Sequence, residues 1–307
     1  MTSITRRTFL AGVAAVSTRF PQDLGSVTHT GPETGPRTAL DEVRAGKPIR
    51  SLEVIDTHGH IGDTQSGAVW PRSADLLVQA MDRCGTSQIV VSPFEGILAT
   101  TNEQLRSAND MCARVAIRYP RRMRFYVVLQ PYLLEESRAQ LERILAPRSP
   151  FCGIKLHGAV HNYPVNGPAY KIAYQFAHDH SLPVLLHLGP GADALGSIGA
   201  QYPQMKLILA HFAGGNGSIL KLVREQPNFL IDTCTSSAPR QIVEHLRDTC
   251  GVEKILYGSD SAYLGMGSQI ARIGYARISE QEKAQIYGKN ARTVFGDRLS
   301  VGPDVHS

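Results

Sequence analysis

Seven residues carry most of the chemistry this sequence offers: His58, His60, Lys155, His157, His187, His211 and Asp260. Each falls at or near the end of a short apolar run. The runs are Ile55-Asp56-Thr57-His58-Gly59-His60, Gly153-Ile154-Lys155-Leu156-His157, Val184 to Leu188 around His187, Leu207-Ile208-Leu209-Ala210-His211 and Tyr257-Gly258-Ser259-Asp260. In an extended strand the side chains at i and i+2 project to one side, so Asp56, His58 and His60 share a face, as do Lys155 and His157. Two imidazoles on one face can bind one ion. Neutral imidazole suits zinc, a carboxylate such as Asp260 adds charge compensation, and a coordination position stays open for water, as a catalytic rather than a structural site requires. A single strand-end histidine is more often a hydrogen-bonded residue than a ligand. A His-x-His pair, two later single histidines and a closing aspartate, each ending a separate run, are hard to derive from packing needs, and jointly they point to a metal site.

Such residues meet only if the elements that carry them end at one place. The apolar runs number eight: Leu52 to His60, Gln88 to Ser92, Phe125 to Gln130, Gly153 to His157, Val184 to Leu188, Leu207 to His211, Phe229 to Thr233 and Ile255 to Ser259. Between them lie segments of helical period, among them Ser73 to Arg83, Thr101 to Arg118, Glu135 to Leu145, Ala169 to His180, Ile219 to Glu225 and Pro239 to Asp248. The alternation requires parallel strands joined by helical crossovers. Eight units in about 250 residues fit an α/β fold of the (β/α)8 TIM-like barrel type better than an open doubly wound sheet. The expected single catalytic domain spans 51–307, and its active site belongs at the C-terminal rim of the strands, where all seven residues lie.

The segments Ile55 to His60, Gly153 to His157, Leu207 to His211 and Tyr257 to Asp260 together resemble the amidohydrolase superfamily, most closely its amidohydrolase-related (amidohydrolase 2) branch of short, single-barrel enzymes, from about Leu52 to Gly296. The closing Tyr287-Gly288-Lys289-Asn290-Ala291-Arg292-Thr293-Val294-Phe295-Gly296 is similar to that branch's usual C-terminal helix. The resemblance implies that His58, His60, His187 and Asp260 bind one divalent metal ion, expected to be zinc, and that His211 sits beside it and contacts substrate. Lys155 stands where some members use a lysine carboxylated by carbon dioxide to bridge two metals; an unmodified ammonium has no lone pair with which to ligate. Lys155 and His157 are the expected substrate-binding residues, with His157 open to three roles: substrate contact, partner of a ligand, or hydrogen-bonded rim residue.

The implied activity, placed first, is hydrolysis of a lactone, ester or amide bond in a small molecule. Zinc lowers the pKa of its bound water from about 15.7 toward about 7. Asp260 would accept and then deliver the proton, with His211 polarising the scissile carbonyl, so these two are the expected catalytic residues. The same branch contains non-oxidative decarboxylases of carboxylated rings and muconate-type acids, and the shared motifs do not separate the two activities. For a decarboxylase, Lys155, His157, His161 or Arg240 could hold the substrate carboxylate. A non-catalytic metal- or ligand-binding protein on an inherited barrel is a third reading, against which the presence of Asp260 argues.

Composition restricts the remaining classes. Residues 1–50 hold seven Lys/Arg and four Asp/Glu, so of the formal +5 they supply +3, and the remaining 25 basic and 23 acidic residues leave +2. A charge that small gives no support for a nucleic-acid partner. The cysteines, Cys84, Cys112, Cys152, Cys234 and Cys250, are odd in number and lack a Cys-x-x-Cys pair, which fits buried thiols rather than a disulfide framework or zinc ribbon. Cys152 and Cys234 flank strands and would ligate only if the assignment above were wrong. Thr5-Arg6-Arg7-Thr8-Phe9-Leu10, followed by Ala11 to Val16, resembles a twin-arginine export signal over residues 1–20, which implies the twin-arginine export machinery as a partner and an exported or periplasmic bacterial protein. Export weakens the decarboxylase reading, because ring-degrading decarboxylases usually act on cytoplasmic intermediates. Residues 21–50, rich in Gly, Pro, Thr and Ser up to Pro48, read as a linker. Gly62 to Arg72, with Trp70, is a candidate wall of the pocket. No stretch reaches the roughly twenty apolar residues of a membrane span, and a homo-oligomer is compatible with the sequence.

Overall fold

In the computed structural model, which describes residues 37–62, 73–237 and 239–300, all eight apolar runs are strands. They are β1 Ile55–Ile61, β2 Gln88–Pro93, β3 Met123–Val128, β4 Phe151–His157, β5 Pro183–His187, β6 Lys206–Leu209, β7 Phe229–Asp232 and β8 Ile255–Leu256. They form one parallel sheet in sequence order. Beyond β8 the chain returns to β1: Thr57 N donates to Tyr257 O at 2.9 Å, Asp260 N donates to His58 O at 2.7 Å, and Gly59 bridges Ser261. The sheet thus closes on itself as a (β/α)8 barrel.

The connecting segments are helical because their apolar residues recur every three or four positions and their ends are capped. Asn102–Arg118 buries Leu105, Ala108, Asn109, Cys112 and Ala116, and Thr101 opens it with a capping box to Gln104. Ala74–Cys84 starts at the Ser73 cap and stops at Gly85, whose φ is +85° and where a Cβ would collide with the Ile49 carbonyl. Glycine alone meets both demands.

Alternation along the strands divides the side chains between the helix layer and the barrel interior. Ile55, Val90, Tyr126, Cys152, Leu185, Ile208, Leu230 and Leu256 form one inner apolar cluster, into which the C-terminal helix Asn290–Phe295 and the following turn insert Ala291, Val294, Phe295 and Leu299. Arg124 Nε donates to Arg298 O at 2.8 Å, and Gln88 Nε2 donates to Leu299 O at 2.9 Å, which fastens this plug under the N-terminal ends of β2 and β3. The opposite end is left polar. Two register shifts adjust which residues reach it, one in β1 between Asp56 and Gly59, the other between β3 and β4 after Phe125. The β1 shift separates Asp56 from the face of His58 and His60. Its Oδ1 accepts from Ser259 N at 2.9 Å and His58 N at 3.1 Å, so it stitches the β1–β8 seam instead of joining the histidines.

The packed body starts earlier than the sequence pattern suggests. Ala39–Arg44 is a helix with a Thr38–Asp41 capping box; Ala39 is buried and its N–H reaches Glu280 Oε2 at 3.0 Å. The buried Glu42 carboxylate accepts from Arg50 N and Ser51 N. From Arg37 onward, therefore, the expected linker is part of the barrel's packing. Six residues of helix are too few to show a period, which is why the sequence hid it. The export-signal segment 1–20 and the Trp70 loop, residues 63–72, lie outside the described residues. Among the described residues no helix is long and apolar enough to cross a membrane.

Candidate metal centre

The C-terminal strand ends bring His58 and His60 from β1, Lys155 from β4, His187 from β5, His211 just past β6 and Asp260 just past β8 into one cluster. His60 Nε2 is 3.2 Å and His58 Nε2 3.8 Å from Asp260 Oδ1. His187 Nε2 lies 3.3 Å from His58 Nε2 and 3.2 Å from His211 Nε2, and His211 Nε2 is 4.0 Å from Asp260 Oδ2. Lys155 Nζ is 2.9 Å from His58 Nε2. His58 and Lys155 are fully buried and His60 nearly so, while His211 keeps 30% of its side chain exposed, so the cluster opens to solvent on the His211 side.

The outer nitrogens decide where the ring protons sit. His211 Nδ1 faces the Cys234 carbonyl at 3.2 Å, an oxygen that only accepts, so the proton is on Nδ1 and Nε2 carries a lone pair. An ammonium only donates, so His58 Nε2 also presents a lone pair, to Lys155. His187 Nε2 then lies between two lone pairs at 3.2–3.3 Å and can donate a proton to only one of them. Imidazole nitrogens converging beside a carboxylate are what a divalent cation requires, and the ligating atoms of His58, His60 and Asp260 lie within 4.8 Å of one another. The residues present therefore fit a metal ion.

Burial pushes the pKa values of His58 and His187 well below the ordinary histidine value and that of His60 below it, with the Lys155 charge acting in the same direction. Neutral rings are the form that ligates. Burial likewise lowers Lys155 to about 8, against the pull of Asp260 and Asp232, so it remains an ammonium at neutral pH. For Asp260, burial acts upward, but the hydrogen bond donated by His60 and the Lys155 charge oppose it, and the group is held below its usual value as a carboxylate.

The amidohydrolase family pattern matches residues 55–296, from the first residue of β1 through the plug helix. The chain belongs to the amidohydrolase family. Among solved structures, the chain is similar to the 2,6-dihydroxybenzoate decarboxylase from Rhizobium, with TM-score 0.65 and 16% identity over 80% of this chain and 98% of that one. The 5-carboxyvanillate decarboxylase from Sphingomonas paucimobilis gives 0.64 and 15%, over 80% and 99%. A dihydroxybenzoic acid decarboxylase from Polaromonas, solved with manganese and the inhibitor 2-nitroresorcinol, gives 0.66 and 18%, over 80% and 97%. At such identities the likeness is one of fold. No curated protein sequence matches the chain at a significant level.

Of the sequence-derived candidates, His58, His60, Lys155, His187, His211 and Asp260 meet in this cluster. His157 stands at the edge, its ring stacked on His187 at 3.9 Å and its Nδ1 accepting from Val160 N at 3.2 Å. Two suggested carboxylate holders fall elsewhere. His161 has Nδ1 on Tyr170 Oη at 2.9 Å and Nε2 on Ile97 O at 3.0 Å, which makes it part of the loop packing. Arg240 lines a surface cavity of about 250 Å³ with Arg272 and Tyr275, and none of the clustered residues lines it. The sequence reading missed Asp232, whose Oδ2 is 2.7 Å from His58 Nδ1, and Ser92, whose Oγ is 3.1 Å from His60 Nδ1. Asp232 ends the apolar run of β7 much as Asp260 follows β8, so the signal existed; it was masked because the run carries no histidine. Cys234 Sγ lies behind the rings, 3.2 Å from His58 Nδ1 and 3.5 Å from His211 Nδ1. Burial and the adjacent Asp232 hold its thiol well above the usual value, and Sγ donates to Asp232 Oδ1 at 3.2 Å; with His58 and His211 it makes a second group whose ligating atoms lie within 4.8 Å of one another. Phe94 and Tyr263, 4.9 Å apart, flank His60.

Proposed function

We propose that this amidohydrolase-family protein is a metal-dependent, non-oxidative decarboxylase of a small hydroxylated ring acid or muconate-type acid, with one divalent ion held by His58, His60, His187 and Asp260. The observation that carries the metal reading is the convergence of the His58, His60, His187 and His211 Nε2 atoms beside Asp260 at the open end of the barrel. Decarboxylation takes precedence over the hydrolysis first expected because the ring-acid decarboxylases above share the fold over 97–99% of their own lengths. When bound, the ion supplies a Lewis acid for the oxygen atoms of the substrate. The chain's own groups do the rest. Lys155, tied to His58, works within the cluster, whereas His157 stands where it can reach a bound acid. In R–CO2⁻ + H⁺ → R–H + CO2 the C–C electron pair stays on the ring carbon, which takes the proton relayed through Asp260 and His211. Manganese in one neighbour and zinc by ligand type are the two ions to try first. The Arg6-Arg7 segment supports export of the folded protein.

Hydrolysis of a lactone, ester or amide is the second reading, favoured by one observation: Asp260 is held as a carboxylate, the form a general base needs. One experiment separates the two. The protein, loaded with Mn²⁺ or Zn²⁺, is incubated in D2O with 2,6-dihydroxybenzoate, 5-carboxyvanillate and a panel of lactones, beside a His58→Ala, His60→Ala variant. Metal-dependent CO2 release with deuterium at the vacated carbon supports decarboxylation. Lactone opening without CO2 overturns it in favour of hydrolysis.

A further inference from the structure

A strand that supplied no candidate from sequence, β7, holds the cluster in shape. Asp232 closes β7, is fully buried, and spreads its carboxylate over two other elements: Oδ2 lies 2.7 Å from His58 Nδ1, and Oδ1 accepts from the main-chain N of His211 at 2.8 Å and from Cys234 Sγ at 3.2 Å. Two residues on, the Cys234 carbonyl takes the Nδ1 proton of His211. The direction of the 2.7 Å bond follows from the far side of the ring. Lys155 donates to His58 Nε2, so the ring proton is on Nδ1, and Asp232 must accept it.

A second, independent feature lies at His211. His211, Phe212, Ala213, Gly214 and Gly215 all have positive φ, at +54°, +40°, +52°, +65° and +75°. Three of these are not glycine, and an L-residue resists the left-handed region because its Cβ crowds the following carbonyl oxygen. Such a run persists only where the surroundings impose it, and the hydrogen bond from its first N–H to Asp232 is one such constraint.

We propose that Asp232 is the positioning residue of this centre: one carboxylate fixes the tautomer of His58 from β1 and pins the left-handed turn that presents His211 after β6. Its consequence for metal binding rests on the metal reading above. Ligating histidines depend on an acceptor at their other nitrogen, and removing that acceptor typically lowers metal affinity about 10–100-fold.

The test uses the full-length protein, metal-free, with ¹⁵N-labelled histidine, in wild type and Asp232→Asn. In wild type, His58 is expected as the Nδ1–H form. In Asp232→Asn the neutral amide gives up the charge that held the Nδ1 proton and can itself donate to Nδ1, so, although Lys155 still donates to Nε2, the Nδ1–H form loses population to Nε2–H; Mn²⁺ and Zn²⁺, titrated against a chromophoric chelator, then bind about 10–100-fold more weakly. His58 found as Nε2–H in wild type overturns the proposal without any variant, and so does wild-type affinity in Asp232→Asn. If wild type takes up neither ion, the metal reading fails by itself, while the tautomer switch between the two proteins still upholds the positioning role.

Discussion

Gly258 lies in the wedge between His58 and Asp232, and a single added methyl there tests how tightly the pair is built. A Cβ on Gly258 would stand 3.0 Å from His58 Cβ and 3.2 Å from Asp232 Cβ, where ordinary contacts begin at 3.4 Å. About 0.4 Å must therefore be found, and both neighbours are fully buried, with no solvent side to retreat into. If His58 moves by the whole amount, its 2.7 Å contact with Asp232 stretches toward about 3.1 Å, outside the roughly 2.7–2.9 Å range of a charge-assisted bond.

Overpacking of this kind costs about 1–3 kcal/mol, and the stiffer unfolded chain of alanine offsets about 0.4–1 kcal/mol of it. The net loss for Gly258→Ala is about 0.5–2 kcal/mol, or a Tm lower by about 1–8 °C for a domain of this size, together with roughly tenfold weaker Zn²⁺ binding. Gly267→Ala is the control: it lies in the helix Met266–Gly274, and nothing comes closer to the added methyl than Cys84 Sγ at 4.0 Å. Helix propensity raises its stability by as much as about 1 kcal/mol. Calorimetry of the metal-free proteins and chelator-competition titrations give both quantities. An unchanged Tm and unchanged affinity in Gly258→Ala would refute the reasoning, because they would show that the His58–Asp232 pair has slack to spare.

Removing bound ion with a chelator lowers the wild-type Tm, and at a hundredfold excess over Kd its return restores about 2.7 kcal/mol; a His58→Ala, His60→Ala protein shows no such shift in a thermal scan. Phe295→Ala, which empties the barrel floor beneath Tyr126, lowers stability by about 3–5 kcal/mol in urea titrations and leaves metal affinity unchanged. Hydrogen bonds from Arg106 hold the Glu136 pKa below its ordinary value. A depressed folded pKa stabilises above the unfolded value of about 4.3 and is lost as pH falls through the folded one. Wild type should therefore exceed Glu136→Gln in urea midpoint at pH 7, and the gap should narrow as pH falls below the unfolded value.

The eight strands were legible because apolar runs of five to nine residues alternate with capped helical segments, and both signals are local. Ladder register was not. The shift between Asp56 and Gly59 places Asp56 at the β1–β8 seam, although its spacing from His58 and His60 suggests a shared face. The six converging residues were legible as types at strand ends. Arg240 and His161 were equally plausible by type, and only the path of their loops takes them away from the cluster. The helix Ala39–Arg44 escaped notice because its stability comes from partners distant in sequence, such as Glu280.

Asp232 shows most clearly what a strand pattern leaves out. On β7 it reads as the polar stop of an apolar run, and no spacing rule links it to His58, 174 residues earlier. The closed barrel makes that link, since β7 is one strand removed from the β8–β1 seam and inward side chains at equal height meet across the interior. The apolar floor built around Tyr126 and Phe295 holds this geometry, while the rim buries an ammonium, neutral histidines and two carboxylates that no packing need requires. Local violations of good packing of that kind mark the functional end of a fold. The stability they cost must come from the floor and the helix layer, so substitutions at the floor should change stability and those at the rim chiefly change ion binding.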